Sequence, residues 1–254
     1  MHFLSQVAHF ISQNWGGPDG FWVRSVNQIE LTAAVVAAAA LVGIGVGVVL
    51  GHTGRGGFVA VNSANAARAI PSLALLTLLA IQPAIGLKGN GFLASFLALF
   101  ALAVPPILTN AYVGVRNVDA DVRSAAHAMG MTAPQVLGRV ELPLALPLVM
   151  AGLRTAAVEV VATATLAAYV SYADLGSFIF AGLNTQNHVQ TFAGGFMVAV
   201  LALLTDLVLA AAQRAVTPVG LRRGGQAART RGVGADATTT RRRLRAPASA
   251  AGPG

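Results

Sequence analysis

The chain has 254 residues, of which 55% carry apolar side chains and only 10% are charged, with a formal net charge of +8. Its mean hydropathy of +0.67 excludes an ordinary soluble domain. It has no cysteine, which excludes disulfides, a thiolate metal site and a cysteine nucleophile, and leaves the redox compartment unreadable.

The N-terminus lacks a charged n-region and a small-residue cleavage site, so no removable signal peptide is expected. Phe3, Leu4, Val7, Phe10 and Ile11 instead predict a short amphipathic helix lying at the membrane surface, and residues 1–26 are assigned to an extracytoplasmic or interfacial segment. Five apolar blocks of about 20 residues follow, each long enough to span a bilayer: 29–50, 70–87, 92–113, 145–170 and 194–212. Residues 58–69, with Asn62, Asn65 and Arg68, are expected to extend the second helix into the cytoplasmic interface.

Gly43, Gly45, Gly47 and Gly51 in the first block allow close helix approach. They do not form a dinucleotide loop, since no strand precedes them and no acidic residue follows at the required distance. Gly51 to Gly57 lacks the Gly-Lys-Ser/Thr ending of a phosphate loop, so any ATP must be handled by a different polypeptide. Pro71, Pro105 and Pro106 remove backbone donors inside apolar blocks; they read equally as helix-end punctuation or as hinges.

Between the third and fourth blocks, Asp119 or Asp121 can cap a helix on which Val122, Ala125, Ala126 and Met129 recur at helical spacing. Gly130 stands where a left-handed C-terminal residue is needed, and Thr132 to Gln135 reads as a capping box. The second helix is expected to end by Leu142, because Pro143 disfavours helical geometry before it. The unit is helix, tight turn, helix, with small residues that would let another protein approach. Capping signals alone do not separate a docking surface from a solvated connection.

Glu159 lies midway along the fourth block, Arg154 about a turn and a half nearer the cytoplasm, and Asp206 within the fifth. Charge at that depth costs several kcal/mol unless it is paired or faces a wet cavity. Glu159 therefore faces a solute path or makes a buried polar contact, and Asp206 is expected to pair structurally. The five histidines show no pairwise ligand spacing, so no metal site is expected.

Nine of the seventeen basic residues follow the last block, between Arg214 and Arg245, among Gly, Ala, Thr and Pro. With no aromatic residue for base stacking, residues 215–254 read as a disordered basic cytoplasmic tail touching anionic lipid, not nucleic acid. Arg55, Arg68, Arg116, Arg123 and Arg139 fall on the tail's side, against Arg24 and Lys88 on the other. The N-terminus is thus expected outside the cell and the loop before Pro143 in the cytoplasm.

Ser124-Ala125-Ala126, three residues, Gly130, nine residues, then Val140-Glu141-Leu142-Pro143 resembles the cytoplasmic Glu-Ala-Ala loop of ABC importer permeases. Ser124 stands in place of the motif's Glu, which removes any salt bridge made from there, and Val140 in place of its Ile. Arg68 to Leu76, Pro105 to Asn110, Leu142 to Pro147, Ala151 to Ala156, Ala162 to Ala168 and Asp174 to Gly176 resemble the glycine betaine/carnitine/choline branch, over residues 27–214.

The resemblance implies an all-α, polytopic permease of five spans, the transmembrane subunit of an ATP-driven importer for osmoprotectants. It implies a coupling loop of Ser124, Ala125, Ala126, Met129, Gly130, Val140, Leu142 and Pro143 that docks on a cytoplasmic ABC ATPase. It also implies an extracytoplasmic solute-binding protein and a second permease chain, like or unlike this one. No cofactor is expected on this chain, ATP being bound by its partner. Glu159, Pro71 and Asn110 are the candidates for the translocation path. Quaternary ammonium recognition calls for an aromatic cage, yet Trp15 and Trp22 lie outside every predicted span, so tight selection falls to the binding protein. An importer for another small solute (an amino acid, methionine or a sulfonate) and a non-transporting scaffold stay as alternatives.

Overall fold

The computed structural model describes residues 2–67, 69, 71–82 and 91–216. The helices are α1 (His2–Gln13), α2 (Phe21–Thr53), α3 (Gly57–Ala67), α4 (Ser72–Ala80), α5 (Phe92–Arg116), α6 (Ala120–Ala128), α7 (Ala133–Val136), α8 (Leu142–Ala164), α9 (Gly176–Asn184) and α10 (His188–Val216). A π turn, Leu137–Glu141, joins α7 to α8, and a 3₁₀ turn, Thr165–Val170, extends α8. Among the described residues there is no strand.

Four stretches are long and apolar enough to cross a membrane: Phe21–Thr53, Phe92–Arg116, Ala133–Val170 and His188–Val216. They contain four of the five predicted blocks, each lengthened by three or more residues. At about 50 Å, α2 exceeds a hydrocarbon core of about 30 Å.

The predicted second block differs. Pro71 adopts φ −59° and ψ 120°, which leaves helical geometry, and α4 starts afresh after it. Residues 58–67 therefore do not lengthen that helix but lie in the separate α3; Ala69 is in a turn, and Arg68 falls outside the described residues. Described α4 is only nine residues long, and positions 83–87 of the block also lie outside the described residues. Pro105 and Pro106, by contrast, are buried within an unbroken α5, so they punctuate no helix end. The predicted tail lies outside the described residues except for Ala215 and Val216, which finish α10.

The core is the three-helix contact of α2, α5 and α8. Leu31, Val35 and Ala39 of α2 meet Leu99, Ala103 and Ile107 of α5 and Ala156 and Val160 of α8. Small residues set the spacing. A Cβ on Gly47 would come within 2.6 Å of the Leu108 carbonyl oxygen, and one on Gly152 within 2.6 Å of Asn110 Cβ.

At one end of the bundle, α1 packs its apolar stripe on protein. Val7 is buried with Phe21, Leu175 and Ala193, and Phe21 stacks on Phe178 at 3.9 Å. The predicted surface helix thus spends much of that face on α2, α9 and α10, while Phe3 and Leu4 stay exposed. At the other end lie Thr53, Arg116 and the α6–α7 hairpin.

Candidate functional site

The hairpin follows from its caps. Asp119, not Asp121, is the N-cap of α6, and its Oδ1 accepts from the Asp121 N–H at 2.8 Å. Gly130 has φ +83°. The Gly130 N–H donates to the His127 carbonyl at 2.9 Å and the Met131 N–H to the Ala126 carbonyl at 3.2 Å. Those two bonds form a Schellman closure, which only a residue tolerant of positive φ permits at low cost. Gln135 Oε1 then accepts from the Thr132 N–H at 2.9 Å, starting α7.

The expected end at Leu142 is not observed. The chain passes from α7 through the π turn into α8, with Pro143 in the first turn of the new helix. A proline ring clashes with the carbonyl four residues earlier in a regular helix; the wider i→i+5 turn relieves that clash and the missing N–H is tolerated in a first turn.

The hairpin divides the predicted coupling residues into two sets. Ser124, Ala125, Met129 and Gly130 are exposed, Met129 at 75%, with Val122 beside them. Ala126 is buried, and Val140, Leu142 and Pro143 are half-buried, Leu142 against Val48, Ala111 and Val149. The first set forms a small exposed surface, and the second seats the hairpin on the spans.

Glu141, a position the loop pattern leaves unspecified, is 1% exposed. Its Oε1 lies 2.8 Å from Arg123 Nε and its Oε2 2.6 Å from His52 Nδ1. Sequence reasoning gave none of the three a place in the site. A charged residue inside a motif that opens an apolar block was the available signal.

The path candidates are not brought together. Glu159 lines a cleft of about 770 Å³ with Arg154, Thr155, Asp206 and Gln213, on the α8 and α10 side of the bundle. Neither Asn110 nor Pro71 lines it. Asn110 Nδ2 donates to the Pro106 carbonyl at 2.8 Å at the α5–α8 contact, and Pro71 is exposed ahead of α4. Asp206 pairs with Arg154, as the structural reading of Asp206 expects. Among the described residues no three His, Asp or Glu side chains gather as a metal site.

At the opposite end, Gln28 donates to the Val161 carbonyl at 2.8 Å, Tyr172 Oη to the Asn27 carbonyl at 2.9 Å, and Arg24 Nη1 to Ser177 Oγ at 2.9 Å. Burial pushes the Asp174 carboxyl up to about 8, against the opposing pull of the Gly176 N–H and the Arg24 charge. Burial, then the negative charges of Glu30 and Asp174, push the Tyr172 hydroxyl up to about 12. The three hydrogen bonds tie α2 to the end of α8, to the loop that follows it and to the first turn of α9, and close this end of the bundle.

Three relatives resemble the chain along most of its length. The choline transport system permease of Bacillus subtilis (strain 168) is 34% identical over 87% of this chain and 98% of its own. The glycine betaine/carnitine/choline permease of the same organism is 32% identical over 86% and 97%. A carnitine transport permease of Listeria monocytogenes serotype 1/2a (strain 10403S) is 36% identical over 78% and 86%. The methionine ABC transporter, in an inward-facing crystal form, matches with a TM-score of 0.65 at 21% identity, over 76% of this chain and 94% of that one. That likeness shows the fold, a bundle of long apolar helices. The model of the family described as "binding-protein-dependent transport system inner membrane component" matches residues 27–218, so the chain belongs to that family of ABC importer permeases.

Proposed function

We propose that this chain forms the translocation path of an importer for osmoprotectants of the glycine betaine, carnitine and choline class. The observation that carries this is the capped α6–α7 hairpin, with Ala125 and Met129 exposed on a multi-pass bundle whose relatives are named for those solutes. The hairpin docks on a separate cytoplasmic ABC ATPase, which binds the ATP in place of this chain. A second permease chain completes the pore, and an extracytoplasmic binding protein delivers the solute.

The orientation puts the hairpin in the cytoplasm and α1 outside. Arg55, Arg116, Arg123 and Arg139 lie on the hairpin side of the described residues, as the positive-inside rule requires. Glu159 lies on the solute path, where its carboxylate suits a cationic or zwitterionic solute, and a cleft lined without aromatic side chains supports passage over tight capture.

Co-purification with the ATPase tests the reading. Met129→Asp alters an exposed side chain and should abolish capture of the ATPase while leaving the permease folded. A cysteine placed at Ala128 of this cysteine-free chain should react with an impermeant thiol reagent only after the membrane is opened. Labelling from outside, or ATPase capture unaffected by Met129→Asp, would refute the docking. Glu159→Gln should reduce uptake of choline or glycine betaine in proteoliposomes, and unchanged uptake removes Glu159 from the path.

A further inference from the structure

A buried carboxylate joins the hairpin to the spans. Glu141 ends the π turn at the root of α8, in ion-pair contact on one side with Arg123 of α6 at 2.8 Å and hydrogen-bonded on the other to His52, the last residue but one of α2. Arg123 also donates from Nη2 to the carbonyl oxygens of Val115 and Arg116 in the last turn of α5. The coupling helix and the ends of α2, α5 and α8 therefore meet at a single node.

Buried ion pairs add little stability over well-packed apolar side chains of similar volume. What they add is position, because unlike charges in short contact hold one element close against the next. The exposed face of α6 is left for a partner, while its Arg123 turns inward to the bundle. A force applied at Met129 thus has a polar route inward from Arg123 to Glu141, and from there to α8 and α2.

We infer that Glu141 is a positioning residue that hands movement of the coupling hairpin to the membrane spans during transport. It rests on the docking reading above, and the experiment separates the two. The complete importer, with its ATPase and binding protein, is reconstituted in proteoliposomes, and uptake of radiolabelled choline or glycine betaine is measured per ATP hydrolysed.

Glu141→Gln keeps the size of the side chain and removes the charge. It should co-purify with the ATPase and hydrolyse ATP, but uptake per ATP should fall about tenfold, within the range that coupling free energies produce. Arg123→Gln should act alike, and the double variant should be no worse than either single one, because both break the same link. His52→Gln, at a partly exposed site, should lower the ratio by a smaller factor, and it carries the test if Glu141→Gln does not accumulate. A wild-type ratio in Glu141→Gln and His52→Gln overturns the inference. So does a parallel fall in uptake and hydrolysis that tracks loss of assembled complex, the mark of a purely structural role. Retention of the ATPase by Met129→Asp refutes the docking reading instead, whatever the Glu141 variants do.

Discussion

Arg154 of α8 and Asp206 of α10 form a two-pronged ion pair, Nε to Oδ1 and Nη2 to Oδ2, the latter at 2.6 Å. The pair, with the bond from Gln213 Nε2 to the Pro147 carbonyl at 3.0 Å, holds α10 to α8 along the side where the polar cleft opens. Inside a span a lone guanidinium is costly, so removing one partner is worse than removing both. Asp206→Asn should therefore lower the melting temperature of the detergent-purified permease more than the double variant Arg154→Gln with Asp206→Asn does. Equal melting temperatures for the single and double variants would show that the guanidinium left by Asp206→Asn carries no penalty of its own.

The α5–α8 crossing depends on Gly152. A methyl group there would stand 2.6 Å from Asn110 Cβ and 2.9 Å from the Pro106 carbonyl oxygen, both on a rigid helix. Gly152→Ala should destabilise the fold by about 1–3 kcal/mol, the usual cost of overpacking. Gly45 is the control, since a methyl group at that position would meet nothing within 4 Å. Gly45→Ala should be neutral or slightly stabilising, because alanine is the better helix former. Thermal melts of the two variants in one detergent make the comparison.

Asp174 predicts a pH dependence. Its Oδ1 accepts from the Gly176 N–H at 2.9 Å, while Oδ2 is buried without a hydrogen-bond partner. With the folded-state value raised from 3.8 to about 8, the folded chain keeps a proton between those limits that the unfolded chain has lost. The contribution of this group to stability is then full below about pH 4 and declines as pH rises through about 8, by on the order of a few kcal/mol in all. The melting temperature should fall across that window and level off above it. Asp174→Asn, which mimics the protonated acid, should flatten the slope.

Local rules account for what the sequence made readable. The hairpin was legible because Asp119, Gly130, Thr132 and Gln135 each satisfy a particular backbone group within a few residues of themselves. Four spans were legible because bilayer thickness demands about 20 apolar residues in a row. Of the two readings of Pro71, helix-end punctuation is the one its ψ of 120° supports, and the expected extension of the second helix over residues 58–69 fails at that break. The end placed at Leu142 failed because a π turn, which no residue pattern announces, lets Pro143 enter a helix. The Glu141 node was hidden for another reason: His52, Arg123 and Glu141 are far apart in sequence, and only the packing of α2, α5 and α8 brings them into contact. Asn110 and Pro71 carried no such long-range information, and the fold places both away from the cleft at Glu159.

Gly130 offers the sharpest separation of conformation from contact. A methyl group at this position meets nothing within 4 Å, so space does not require glycine. The backbone does, because φ of +83° strains any residue that carries a Cβ. Gly130→Ala should thus cost about 1 kcal/mol and loosen the turn between α6 and α7, while Gly130→Asn, whose side chain tolerates the left-handed region, should cost less. Backbone hydrogen exchange at Gly130 and Met131, the two donors of the Schellman closure, reads the effect directly. Exchange should speed up in the order wild type, Asn, Ala, and an Ala variant as protected as wild type would show that the turn does not depend on its left-handed residue.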